Sequence, residues 1–315
     1  MTRGLLSVLL MVAPTSGTGA QQGGATHVLL ITGLSAEPRF ARSFGAAAGS
    51  IYDAAREQWH VADSNLAYLA EDPAADPKRI SGKATKATME QAFASIARRV
   101  QPGDVVLIFL VGHGSGEMAA SAVNLPGPDP TAADYAGWLA PLARATVVFV
   151  NASSASGDFA PLLAGPNRVI VTATRTAIER NESVFAAYFA RGLTGTEADA
   201  DKDGRVSIAE AFNYARDQVA KAYESTNRMQ TEHAVLADPS GLAARIAFGG
   251  NAASADPRVT ALVGQRRVLE SQVDSLRRVK IGMDTTAYER ALEQLLLQIA
   301  AKTQAINALQ SGAKP

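Results

Sequence analysis

Five short apolar runs, separated by segments whose apolar residues recur at helical spacing, constrain this chain more than any other feature. His27–Thr32, Leu66–Leu69, Asp104–Val111, Thr146–Val150 and Arg168–Thr172 are rich in β-branched and aliphatic residues and read as strands buried on both faces. Between the first two, Phe40, Phe44, Ala47, Ile51 and Ala55 fall on one helical face; before the third, Met89, Phe93, Ile96 and Val100 do the same. Further helices are expected over Ala132–Leu142, Ser183–Leu193 and Ile208–Tyr223. Strands that alternate with helices need crossover connections, so the expected fold is α/β, a mostly parallel sheet with helices on both faces.

The two ends of the chain read differently. Arg3, the apolar run Leu5–Ala13 and the small residues Thr18-Gly19-Ala20 have the order of a cleaved secretory signal over residues 1–20. That run is too short to span a bilayer, and no later stretch is long and apolar enough to do so. The expectation is a secreted or periplasmic chain without a membrane span, with its α/β domain over residues 21–248. Residues 249–257, Gly249-Gly-Asn-Ala-Ala-Ser-Ala-Asp-Pro257, have linker composition. Beyond them, residues 258–315 carry two helical stripes, Leu262, Leu269, Val273 and Leu276, then Tyr288, Leu292, Leu295, Ile299, Ile306 and Leu309. Gly282 suits the end of the first helix, and Thr286 with Glu289 suits a capping box for the second. An antiparallel helical hairpin is expected, self-associating or docked on a partner, with an appendage packed on its own domain as the alternative.

Composition removes several functions. Thirty basic and thirty acidic side chains give a net charge of zero, which argues against a broad nucleic-acid surface. The chain has no cysteine, so disulfides, thiolate-bound metals and thiol nucleophiles are excluded. The histidines lack metal-ligand spacing; His27, His60 and His233 read as structural or solvated.

Ligands of an open parallel sheet gather at the carboxyl ends of its strands. There the third strand enters Gly112-His113-Gly114-Ser115-Gly116, and the fourth enters Asn151-Ala152-Ser153-Ser154-Ala155-Ser156-Gly157. A histidine and a hydroxyl at neighbouring strand ends can form a base–nucleophile pair, with adjacent backbone amides as an oxyanion site.

The runs VLIFLVGHGSG and VVFVNASSASGDF, with NLPGPD at Asn124–Asp129 and the segment Arg168–Leu193, resemble the caspase/legumain-like (clan CD) cysteine peptidases, in particular a bacterial secreted branch. The resemblance spans roughly residues 26–240 and implies a caspase-like sheet, with the C-terminal helical pair also similar to that branch. It assigns His113 as the catalytic histidine, Gly114 as an oxyanion-hole amide, and Ser154 (or Ser153 one register earlier) where the nucleophilic cysteine stands. A thiol beside a histidine ionises readily, whereas a serine must lose its proton as it attacks and relies on an oriented base. Asp53, Asp63 and Asp129 are the candidate orienting carboxylates. The expectation is a pseudopeptidase that binds a peptide or protein partner or scaffolds an assembly; the alternative is a Ser–His hydrolase using Ser154 and His113.

A second motif is independent of that cleft. Asp199-Ala-Asp201-Lys-Asp203-Gly204-Arg205-Val206-Ser207-Ile-Ala-Glu210 has the spacing of a twelve-residue EF-hand loop. Calcium takes six to eight oxygens. Asp199, Asp201 and Asp203 would supply carboxylates, Arg205 its backbone carbonyl, Ser207 an oxygen directly or through water, and Glu210 both of its oxygens. A structural Ca2+ is expected. Ser207 and Glu210 also form a capping box, which a metal-free helix start would equally use.

Overall fold

The computed structural model describes residues 24–248, 257–278, 280 and 283–310. The expected signal segment, residues 249–256 of the expected linker, and Gly282 lie outside the described residues. In chain order the elements are β1 (Thr26–Thr32), α1 (Pro38–Glu57), β2 (Leu66–Ala70), β3 (Gly82–Lys83), α2 (Lys86–Arg99), β4 (Val105–Val111), β5 (Gly114–Ser115), β6 (Ala122–Val123), α3 (Ala132–Leu139), β7 (Thr146–Asn151), α4 (Phe159–Leu163) and β8 (Arg168–Thr172). They continue with α5 (Phe185–Thr194), β9 (Val206–Ser207), α6 (Ile208–Ser225), β10 (Val235–Ala237), β11 (Ala247–Phe248), α7 (Pro257–Arg278) and α8 (Thr285–Gln310).

Seven strands form one sheet in the order β10-β8-β7-β4-β1-β2-β3. Every pairing in it is parallel except that of β10 with β8. Register puts Leu29 of β1 opposite Ile108 of β4, which faces Phe149 of β7. Alternation then sends neighbouring residues to opposite faces. Val28, Leu30, Leu107, Phe109, Val148 and Val150 pack with Phe44 of α1, Phe189 of α5 and Phe212 of α6. Leu29, Ile31, Ile108, Leu110 and Phe149 pack with Phe93 of α2, Tyr135 of α3 and Phe159 of α4. Two cores flank the central strands, which is why those strands read as continuous apolar runs. Because β1 pairs with β2 on one side and β4 on the other, a crevice opens at the carboxyl end where the chain changes direction.

Caps set several helix starts. Thr85, Thr131 and Ser207 each accept from an amide three residues on, in reciprocal capping boxes. The start of α5 is capped from far along the chain: the Glu232 carboxylate accepts from Ser183 Oγ at 2.6 Å, the Val184 amide at 2.9 Å and the Phe185 amide at 3.2 Å. Its burial pushes the Glu232 carboxyl above the usual range, outweighing those hydrogen bonds.

Helices α7 and α8 pack as an antiparallel pair, since Val259 and Val263 near the start of α7 meet Ile306 near the end of α8. This small cluster is separate from the two cores of the sheet. The start of α8 differs from the expectation: Asp284, not Thr286, is the cap, its Oδ1 accepting the Ala287 amide at 3.0 Å. A short carboxylate one residue before the helix reaches that amide, which leaves both threonines inside the first turn.

Candidate functional site

The carboxyl ends of β4 and β7 meet in the crevice. After β4, the short β5–β6 ribbon folds the chain back so that the Asn124 amide donates to the His113 carbonyl at 2.9 Å. The Asn124 carbonyl accepts from Leu34 at 2.8 Å, tying this loop to the end of β1. The His113 imidazole packs edge-on against Phe40 and Phe44, at centroid distances of 4.7 and 5.4 Å.

After β7 the chain makes a tight serine-rich turn. Asn151 Oδ1 accepts both the Ser153 amide at 3.1 Å and its hydroxyl at 2.6 Å, an Asx turn that keeps Ser153 fully buried. Ala155 holds a left-handed conformation, φ +52°, at a cost of order 1–2 kcal/mol, and its amide donates to the Glu179 carbonyl at 2.8 Å. Ser156 Oγ accepts the amides of Ala173 and Thr174 at 3.1 and 3.2 Å. Between them Ser154 Oγ accepts the Gly114 amide at 3.2 Å. Gly114 must be glycine here, because a Cβ would overlap the Ser154 carbonyl oxygen. His113, Gly114 and Ser154 are thus brought together, but among the described residues no hydrogen bond links the His113 ring to either serine.

The three carboxylates expected to orient His113 are engaged elsewhere. Asp53 pairs with Arg79 at 2.8 Å, Asp63 with Arg56 at 3.3 Å, and Asp129 Oδ1 accepts the Leu125 amide at 2.8 Å. A histidine–carboxylate pair does stand behind the serine turn: Glu179 Oε1 lies 2.6 Å from His233 Nδ1, and Glu179 Oε2 accepts the Arg175 and His233 amides. The two residues are far apart in sequence, so no local pattern marks the pair. Beside the His113 loop, a cavity of about 330 Å³ opens between the ends of β1 and β2, lined by Gly33, Ser35, Arg42, Phe44, Tyr68 and Glu71 among others.

The aspartate loop lies away from this crevice, between α5 and α6. Lys202 and Gly204 take positive φ, +58° and +80°, and the turn they make points successive amides inward. Asp199 Oδ1 and Asp201 Oδ1 accept from Asp203, Asp199 Oδ2 from Gly204, and Asp203 Oδ1 from Arg205, at 2.8–3.1 Å. The three carboxylates each offer an oxygen within 4.8 Å of the others, a group that could hold a metal ion. Glu210 reaches back into the loop, Oε1 accepting the Ala200 and Asp201 amides and Oε2 accepting the amide and hydroxyl of Ser207. The Arg205 guanidinium donates to the Ala247 carbonyl at 2.6 Å, beside the β9–β11 ribbon. The donor set is hard oxygens crowded on one turn, the ligand type that suits a hard cation. Burial raises the carboxyls of Asp199 and Asp201, that of Asp201 to about 6, with the neighbouring Asp203 adding to the effect.

One residue of this site carried no signal in the sequence. Arg266, on α7 and only 4% exposed, pairs with Asp201 Oδ2 at 2.9 Å and also with Asp203 Oδ2. Arg266 is one of five arginines on this amphipathic helix and looks like any solvated side chain until the tertiary fold sets it over the loop.

No family model matches this chain, and no curated protein matches it. Among solved structures, it is similar to the crystal structure of protein GSU0716 from Geobacter sulfurreducens, with a TM-score of 0.44 and 12% identity, over 75% of this chain and 96% of that one.

Proposed function

We propose that this protein is a secreted or periplasmic homologue of the caspase/legumain-like peptidases that has lost the cysteine nucleophile, is stabilised by calcium at residues 199–210, and binds a peptide or protein partner without cleaving it. The 1–20 signal, 21–248 α/β domain, 249–257 linker and 258–315 helical hairpin are the organisation that goes with this reading. The observation that carries it is the hydrogen bond from the Gly114 amide to Ser154 Oγ. A Ser–His hydrolase needs these two groups for separate tasks: the amide donates to the developing oxyanion, and the hydroxyl gives its proton to the histidine. Here the amide is already taken by the Ser154 oxygen, His113 packs against phenylalanine rings, and among the described residues no carboxylate hydrogen-bonds its ring. The cavity beside Phe44 is of a size to take one side chain of a bound segment.

A fluorophosphonate probe on the folded, calcium-supplied protein tests the reading. No label at Ser154 is expected, with peptide binding unchanged in Ser154→Ala. Labelling at Ser154 that disappears in His113→Ala would overturn the pseudopeptidase and establish the hydrolase.

A further inference from the structure

The loop oxygens divide into two sets. Asp201 Oδ1 and Asp203 Oδ1 are engaged by loop amides, whereas their Oδ2 atoms face away from those amides and meet the Arg266 guanidinium. The oxygens left over by the loop's own backbone are the ones a cation would need, and a cationic side chain from another part of the chain already sits on them. Arg266 is also imperfectly held: Nε is buried without a hydrogen-bond partner, although Glu270 Oε1, one helical turn along α7, lies 3.3 Å from it. A cavity of about 540 Å³ separates the loop from α7, lined by Asp201, Asp203, Glu210, Arg266 and Glu270 among others, so a small ion has room to approach.

A guanidinium and a divalent ion cannot share those two oxygens, since like charges at such separation repel strongly and each needs the same lone pairs. We propose that Arg266 is a built-in counter-cation that yields its place to a divalent cation, so that loading the Asp199–Glu210 loop unlatches helices α7 and α8 from the α/β domain. The proposal rests on the calcium reading given above and adds its consequence. Glu270 lies on the same helix and keeps Arg266 paired after release, which lowers the cost of leaving the loop. The apolar cluster of Val259, Val263 and Ile306 belongs to the helical pair itself, so the pair can move as a unit. Linkage makes the effect reciprocal: whatever factor Arg266 subtracts from cation affinity, the cation subtracts from docking of the pair.

The test uses the full mature chain and calcium ion alone. Calcium affinity is measured by calorimetry in wild type, Arg266→Gln and the charge-keeping Arg266→Lys. Docking is followed by energy transfer between labels at Lys221→Cys on α6 and Gln304→Cys on α8, both exposed, in a chain with no native cysteine. Removing the arginine should tighten binding by about 5- to 150-fold, the span of an ordinary coupling free energy, with Arg266→Lys in between, and transfer should fall on calcium addition to wild type. Equal affinities with unchanged transfer would overturn the latch while leaving the calcium site standing. Binding by Arg266→Gln alone would also overturn it, making Arg266 a permanent occupant. Absence of binding in all three proteins at millimolar calcium would overturn the calcium reading itself, and the latch with it.

Discussion

The serine turn after β7 and the aspartate loop before α6 are both tight, both polar and both built around a left-handed residue, yet they end with opposite balances of donors and acceptors. In the turn, the Ser153 hydroxyl donates to Asn151 Oδ1 while Ser154 and Ser156 Oγ accept the amides of Gly114, Ala173 and Thr174. Neutral hydroxyls and amides thus satisfy one another, and among the described residues of the turn only Asn151 Nδ2 is left as a buried donor without a partner. In the loop, backbone amides occupy only part of the carboxylate oxygens, and the remainder require positive charge from outside the loop. Polar groups that close on themselves serve as scaffold; polar groups left with excess charge mark a place for a ligand.

The largest effect that would break this contrast is Gly114→Ala. Its Cβ would overlap the Ser154 carbonyl, forcing the two strand-end loops apart at a cost of about 3 kcal/mol, read as a fall in the urea midpoint. Next, calcium at a hundredfold excess over its dissociation constant should stabilise the protein by about 2.7 kcal/mol, an effect that chelation reverses and that Asp201→Asn with Asp203→Asn abolishes. If the serine turn is scaffold, Ser156→Ala should cost about 2 kcal/mol by stranding the amides of Ala173 and Thr174, and Ser154→Ala about 1 kcal/mol by stranding that of Gly114. Both are measurable by chemical denaturation, and a Ser154→Ala protein as stable as wild type would point to a hydroxyl kept for another purpose.

The smallest effect concerns pH. Burial raises the Glu232 carboxyl, so its contribution is complete below the unfolded carboxylate value of about 4.3 and is lost as pH rises through the higher folded value. The stability gap between wild type and Glu232→Gln should therefore shift against wild type on going from acid to neutral pH. A gap independent of pH would show that the helix-capping hydrogen bonds from Ser183, Val184 and Phe185 offset the burial completely.

Much of the sheet was legible because its information is local. Five of its seven strands coincide with apolar runs, and the face of α1 named by Phe40, Phe44, Ala47, Ile51 and Ala55 is the buried one. The antiparallel β10 was not legible: Val235–Ala237 is a short edge strand, half-buried, and gains its geometry only by pairing with β8. The aspartate loop was visible for the same local reason as the strands, since twelve consecutive residues contain every ligand it proposes.

By itself, the sequence determined the α/β alternation, the two helical stripes at the end, the absence of thiol chemistry and the spacing of the loop carboxylates, each a property of neighbours along the chain. Only the tertiary structure decided that Ser154 faces the Gly114 amide, that Glu179 pairs with His233 while Asp53, Asp63 and Asp129 are engaged away from His113, and that Arg266 covers the aspartates. The physical reason is distance in sequence. Hydrophobic periodicity and turn chemistry are written in short windows, but the pairing of one charge or hydroxyl with another depends on which elements pack together, and burial in those packed layers makes the pairing obligatory.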